Sequence, residues 1–314
     1  MNKCISNPNQ KCLNRYDHMI KAYLIMAHKN PRQLVRLVSR LNDGSSHFFI
    51  HIDIKAELRS FDELNQFDKL TFLERFHARW GRYGIVRPLL SGLQQIKMQE
   101  ILFDRIIVLS GQDYPIKSNK TINKILSESP KSVYVDFTPL PNFERWPGGD
   151  RGGLYRIDKY YFGDKWHERL SSRALNLIAG YCKTFTRKTP LNMTGFAGSA
   201  WMILDMYALN YILNFHEKNL DYLKFHRNTF VADEVFIHMI IGNSRDTILH
   251  SRTSQNNQHF MIWETPESAH PKLFNADDFE KISTSPHLFA RKFDDTIDSL
   301  ILDKIDGNIL IDDY

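Results

Sequence analysis

The stretch KAYLIMAHKNPRQLVRLVSRLNDGSSHFFIHID, residues 21–53, holds the reading that decides the fold. KAYLIMAH (21–28) is a short apolar run followed by Asn30-Pro31, the punctuation of a buried strand handing over to a helix. In PRQLVRLVSRLN (31–42), Leu34, Val35, Val38 and Leu41 fall on one helical face, and HFFIHID (47–53) returns to an apolar strand. Further along, residues 55–66 have weak helical spacing and TFLERF (71–76) is a third strand. Beyond Trp80-Gly81 a long helical pattern carries Leu89, Leu90, Leu93, Ile96 and Met98, and RIIVLS (105–110) is a fourth strand. Strands alternating with helices at this spacing predict a parallel, twisted sheet with helices on both faces. Ligands of such sheets bind beyond the carboxyl ends of the strands, which places His28, Asp53, Trp80 and Ser110-Gly111-Gln112-Asp113 along one rim.

The character changes near residue 138. PLPNFERWPGGDRGGLYR (139–156) is rich in glycine, proline and charge, and its Phe143, Trp146 and Tyr155 favour a binding loop over a solvated linker. GFAGSAWMIL (195–204) reads as a glycine-kinked strand, DMYALNYILNFHEK (205–218) as an amphipathic helix and VADEVFIHMII (231–241) as another. Residues 19–314 form one mixed α/β domain, with a nucleotide-binding half over about 19–137 and an acceptor-binding, catalytic half over 138–314. Residues 1–18 show no periodic pattern and are expected to lie outside the fold as an extension.

Composition narrows the function classes. At 42% hydrophobic and 25% charged, 314 residues suffice for a substantial core. The net charge of +5 is modest and its Lys and Arg are scattered, which argues against nucleic acid as a partner. Cys4, Cys12 and Cys182 are too few and too far apart for a disulfide framework or a zinc site. No stretch approaches the ~20 apolar residues of a membrane span, so no transmembrane segment is expected. The expected location is cytoplasmic, with peripheral contact at the inner face of the membrane open through the basic, aromatic loop 142–156. No G-x-G-x-x-G follows the first strand and no G-x-x-x-x-G-K-[ST] occurs, which disfavours dinucleotide oxidoreductases and P-loop enzymes.

Three groups could carry chemistry. Asp233-Glu234 opens an apolar helical pattern, where acids also simply complement a helix dipole. In a functional reading, Glu234 accepts a proton from an attacking hydroxyl. HLFARKFD (287–294) sets Arg291 beside Lys292, and HPKLF (270–274) adds Lys272. Such cations are commonly just solvated, but oriented ones stabilise charge on a departing diphosphate. Many sugar-nucleotide transferases instead hold a divalent metal on a D-x-D pair, since hard cations prefer oxygen ligands. No D-x-D occurs here, and the nearest relative of it, Asp278-Phe279-Glu280, lies in a helical pattern. No metal and no cofactor beyond the donor substrate is therefore expected.

The ordered set AYLIMAHKNP, HIDIKAE, RWG, LSGQDYPIKS, FERW, GFAGSAWMIL, VADE, IW and FARKFD, spanning about residues 20–294, resembles glycosyltransferase family 14. That family comprises the core-2/I-branching β-1,6-N-acetylglucosaminyltransferases and the peptide O-xylosyltransferases. The resemblance implies an α/β fold of GT-A type, a Rossmann-like twisted mixed sheet with helices on both faces. It also implies inverting, metal-independent transfer from a UDP-sugar, with GlcNAc or xylose as the expected sugar, to a glycan or glycolipid acceptor. Residue by residue, it implies Glu234 as the catalytic acid-base position, and Arg291, Lys292 and Lys272 as the diphosphate cations. Ala27, His28, Asp53 and Trp80 match the nucleoside contacts, and Glu144, Arg145 and Trp263 the acceptor side; Asp113 and Asp233 join the sugar-binding set. VADE lacks the Ser-Pro that precedes the acid pair in the family, and the cysteines of the animal enzymes have no counterparts. A role in surface polysaccharide synthesis follows from the expected compartment. The alternative is a non-catalytic UDP-sugar- or carbohydrate-binding protein of the same fold, which the aromatic loops would serve equally well.

Overall fold

Every residue of β1 (Lys21–Ala27) is buried. Ala22, Leu24 and Met26 enter one hydrophobic cluster, and Tyr23, Ile25 and Ala27 enter a second on the opposite face. A strand covered on both faces has no polar side to show, which is why this run is continuously apolar. The computed structural model describes residues 19–311, apart from 79, 80, 82, 148–150, 164, 266, 267 and 269.

β1 is flanked in parallel by β2 (His47–Ile52), beyond which lies β3 (Leu70–Phe72), and by β4 (Arg105–Ser110). β5 (Asp113–Pro115) turns out of this sheet. β6 (Val133–Pro139), β7 (Phe196–Leu204) and β8 (Thr253–Ser254) complete seven strands in the order β3-β2-β1-β4-β7-β6-β8. β9 (His259–Met261) and β10 (Phe289–Arg291) form a second, three-stranded sheet with β5, in the order β5-β10-β9.

The helices are α1 (Pro31–Leu41), α2 (Val86–Met98), α3 (Asn119–Glu128), α4 (Tyr155–Asp158), α5 (Trp166–Tyr181) and α6 (Met206–Lys218). They continue with α7 (Leu220–His226), α8 (Phe236–Gly242), α9 (Thr247–Arg252), α10 (Phe279–Ser283) and α11 (Leu300–Asn308). α2, α6 and α8 supply the cluster on one face of the large sheet, and α1, α3 and α11 supply the other.

The expected α/β architecture, a twisted mixed sheet between two helical layers, is therefore the observed one. Its first four strands are parallel, as the alternation of elements predicts, but β7 runs antiparallel to both β4 and β6. Hydrophobic period is the same for either direction, so the pattern could not reveal this. β3 is also shorter than TFLERF: after Leu73 the chain leaves the ladder, and Arg75 donates to the carbonyls of Ile52, Asp53 and Ala56. The segment 231–241 is not one amphipathic helix. Val231 adopts a left-handed conformation (φ 49°), residues 232–234 make a 3₁₀ turn, and α8 follows with Phe236 to Ile241 all buried.

The expected kink in β7 is at Gly198. The β6 register shifts between Val135 and Phe137, and a Cβ on Gly198 would stand 1.7 Å from the carbonyl oxygen of Asp136. No side chain fits there without moving backbone. Gly198→Ala is therefore expected to destabilise the fold by about 3 kcal/mol or more, measurable by denaturant unfolding.

Candidate active site

The carboxyl ends of β1 and β4 meet β10 at the rim. The Gly111 N–H donates to the Met26 carbonyl at 3.0 Å, and a Cβ on Gly111 would lie 3.2 Å from that of Ala27, so the turn after β4 presses against the end of β1. That turn aims Asp113 inward, where it is fully buried. Its carboxylate accepts from the Ser110 N–H at 2.7 Å, the Ser110 hydroxyl at 3.1 Å and Arg291 Nη1 at 2.8 Å, with His259 Nε2 at 3.7 Å. Burial alone would raise its pKa, but the Arg291 guanidinium and these hydrogen bonds hold it below the usual carboxylate range. The oxygens of Asp113, expected in the sugar-binding set, anchor Arg291 and the Ser110 turn. The same Arg291 nitrogen bonds the Ser110 hydroxyl, and the guanidinium lies 4.6 Å from the ring centroid of Trp201 on β7. A cation fixed on these sides is oriented before any ligand arrives.

Lys292 follows Arg291 at the mouth of this sheet. Desolvation and the charges of Arg291 and Lys29 lower its pKa. His28, exposed at the end of β1, is lowered by desolvation against the fold and by Lys29 and Lys292, with Asp53 opposing. Depressed cationic groups side by side report a local positive potential, the setting that attracts an anion. Lys272 is adjacent through the backbone, with the Lys292 N–H 3.4 Å from its carbonyl. Its ammonium, however, is held by the buried Asp278 at 2.7 Å. Asp53 is buried and its two oxygens accept the N–H groups of Lys55 (2.9 Å) and Ala78 (2.8 Å), shaping the loops beside the rim. Trp80 lies outside the described residues.

Glu234 closes the 3₁₀ turn ahead of α8, so it is not a first-turn acid of that helix. The turn is tied to the rim by the Val231 N–H, 3.2 Å from the Gly81 carbonyl. Asp233 is buried, its Oδ1 has no hydrogen-bond partner among the described residues, and its pKa is pushed up to about 7 by desolvation and by the charge of Glu234. Arg156 and Arg291 partly oppose that rise, so the cation site and the acid pair share one field. Glu234 itself is half-buried. Its Oε2 accepts from Arg156 Nη2 at 2.9 Å and Nε at 3.3 Å, while Oε1 has no hydrogen bond among the described residues.

Arg156 is almost fully buried and stacks on Trp146 (4.5 Å) and Tyr155 (4.8 Å). Arg145 makes a two-pronged pair with Asp136 at 2.8 and 2.5 Å. Desolvation would lower the Arg145 pKa, but Asp136 and the charge of Glu234 raise it. Glu144 is exposed in the same loop, and Trp263 is half exposed just past β9. Arg156, Asp136 and Trp201 were missed by sequence reasoning. Arg156 lay in the aromatic loop already marked as functional, but its partner stands 78 residues away. Among the described residues no group of three or more His, Cys, Asp or Glu could hold a metal ion, and no helix is long and apolar enough to cross a membrane.

With this geometry in place, comparison gives the class. Residues 21–285 match the Core-2/I-Branching enzyme family, and the chain belongs to that family of glycosyltransferases, glycosyltransferase family 14, with its GT-A type α/β fold. It is 28% identical to the β-glucuronosyltransferase GlcAT14B of Arabidopsis thaliana over 304 residues, 92% of this chain and 66% of that one. It is 24% identical to xylosyltransferase 2 of Homo sapiens over 310 residues, 92% of this chain and 33% of that one. The chain thus spans less than two thirds of the length of these relatives. Among solved structures, a 4-diphosphocytidyl-2C-methyl-D-erythritol synthase from Anaerococcus prevotii aligns with 66% of this chain and 77% of its own, at 13% identity and a TM-score of 0.32.

Asp233 supplies a test of the site's electrostatics. Its folded pKa, about 7, lies above the ordinary carboxyl value of about 4, so the native state holds a proton that the unfolded chain releases. The associated stability is full at low pH and is lost as pH rises from ~4 through 7. Asp233→Asn is expected to leave the unfolding free energy near pH 4 unchanged and to raise it by about 2–4 kcal/mol at pH 8, measured by denaturant titration at both.

Proposed function

We propose that the chain moves a sugar from a UDP-sugar to a hydroxyl of a glycan or glycolipid acceptor, inverting the anomeric centre without a metal ion. The observation that carries this reading is the placement of a locked cation, Arg291 on buried Asp113 and Trp201, beside the Asp233-Glu234 acid pair. Glu234 Oε1 takes the proton of the acceptor hydroxyl as its oxygen attacks the anomeric carbon. The bond from that carbon to the diphosphate breaks, and UDP leaves with the electron pair. Arg291 and Lys292 offset the charge that grows on the departing oxygens, a part that a metal plays elsewhere. Lys272, already neutralised by Asp278, has a lesser part than its sequence position suggested. Arg156 holds Oε2 so that Oε1 faces the nucleophile, and Arg145 and Glu144 lie on the acceptor side. Names of relatives support glucuronic acid or xylose as transferred sugars alongside GlcNAc. Cytoplasmic surface-polysaccharide synthesis fits a sequence whose three cysteines are too few and too scattered for a disulfide framework.

Glu234→Gln is expected to lower kcat by roughly 100- to 10,000-fold while UDP affinity, by calorimetry, stays unchanged. Near-normal transfer by that variant would remove Glu234 from the role of base. Lys292→Gln is expected to slow turnover by about 10- to 1000-fold, from loss of charge stabilisation at the leaving group. Transfer measured in excess EDTA should equal that without it; abolition by EDTA and recovery with manganese would overturn the metal-free mechanism.

A further inference from the structure

Of the 16 residues of α5, only Ser172 is buried. The helix is fastened by one side: the Phe162 N–H donates to the Ser172 hydroxyl at 3.0 Å, and Asn176 bonds the N–H and carbonyl of Tyr160 at 2.8 and 2.9 Å. The opposite side is an apolar stripe of Trp166, Leu170, Ala174, Leu177 and Tyr181, at the 3- and 4-residue spacing of a single helix face. It is open to solvent: Trp166 is 77% exposed, Leu170 58%, Leu177 64% and Tyr181 88%. The charge around it is mainly positive. Residues 164–188 contain six Lys and Arg, of which Arg187 is buried, and two acids, Asp164 and Glu168, the latter accepting the Lys165 N–H at 2.9 Å. Arg173 runs along one edge of the stripe and Lys183 lies just beyond its end, both exposed.

We propose that this face of α5 docks the protein on an anionic lipid bilayer, lying in the plane of the interface. Aromatic residues at both ends of a leucine stripe, with cations at its margin, match the layering of acyl boundary and anionic headgroups. A second copy seated two-fold on the same face would bring Arg173 and its basic neighbours against their own images, so the charge favours lipid over self-association. In the loop 142–156, where the sequence suggested membrane contact, Arg145 and Arg156 both stack on Trp146 and Arg156 holds Glu234. α5 is linked toward the acid pair through the segment that fastens it. The Tyr161 ring, in the segment that fastens it, packs 5.0 Å from that of Phe230, four residues before Glu234. Docking therefore sets the acid pair near the bilayer, where an acceptor carried on a lipid would be presented.

The test needs no catalytic readout. The full chain is floated with vesicles of phosphatidylcholine alone or with about one-third phosphatidylglycerol. Partition is expected to be at least ~10-fold stronger on the anionic vesicles and to fall by a similar factor as NaCl rises from about 0.05 to 0.5 M. Trp166→Ser/Leu177→Ser and Arg173→Glu/Lys183→Glu should each weaken it ~10-fold or more with an unchanged unfolding midpoint, since all four residues are exposed. Brominated lipid should quench tryptophan emission of the unsubstituted chain, an arm that does not depend on how any variant folds. Absence of binding to anionic vesicles, equal binding of the double variants, or a lipid-free dimer in sedimentation velocity that Trp166→Ser/Leu177→Ser dissolves would overturn the proposal.

Discussion

The ion pair between Asp113 and Arg291 is the constraint on which the site depends. A fully buried carboxylate without a partner is strongly unfavourable, and the partner here comes from 178 residues later in the chain. Making the pair forces β10 against β5, and the backbone completes the closure. The Phe293 N–H donates to the Gln112 carbonyl at 2.9 Å, and Gln33 on α1 spans the carbonyls of Gly111 and Phe293. Lys292 is carried to the rim by this closure, its backbone also paired with Lys272 and Phe274. The cations that would meet a diphosphate are thus located by the same network that joins the last third of the chain to the first.

That arrangement places Arg291 where its charge reaches both His28 and Asp233. On one side the Arg291, Lys292 and Lys29 cluster depresses His28; on the other, Glu234 and burial raise Asp233. Titratable groups driven in opposite directions are a common mark of functional sites. Neither half is sufficient alone. The acids without the cations would be a buried defect with Asp233 protonated near neutrality, and the cations without the acids would be a simple anion site.

Much of the first half of the fold was legible in the sequence because its strands are covered on both faces and its helices are amphipathic. β1, α1, β2, α2 and β4 all fall where apolar periodicity placed them. Strand direction was not legible at β7, and no residue type announces the left-handed Val231 that separates Glu234 from α8. α5 escaped notice for a physical reason: its apolar positions face solvent, and it has too few inward contacts to stand out as a core helix. Among the site residues, the rim position of Asp113 was readable but its burial was not. Arg156 and Trp201 act through partners distant in sequence, which no local pattern records.

The two ends of the site are built by different logic, and this bears on what can vary. Arg291 is fixed by long-range closure through a buried acid, so moving it means opening the domain. Arg145 in its loop and Arg156 on the short α4 that follows are held by Asp136 and Glu234 and stacked on the neighbouring Trp146 and, for Arg156, Tyr155. Ordering the loop and orienting Glu234 are then one event, because Arg156 is both a packing element of the loop and the partner of Oε2. Changes in loop length or sequence can remodel the surface of the loop while Asp113, Arg291 and Trp201 keep their geometry. A change that displaces Arg156, by contrast, reaches Glu234 directly and releases the oxygen that its guanidinium holds.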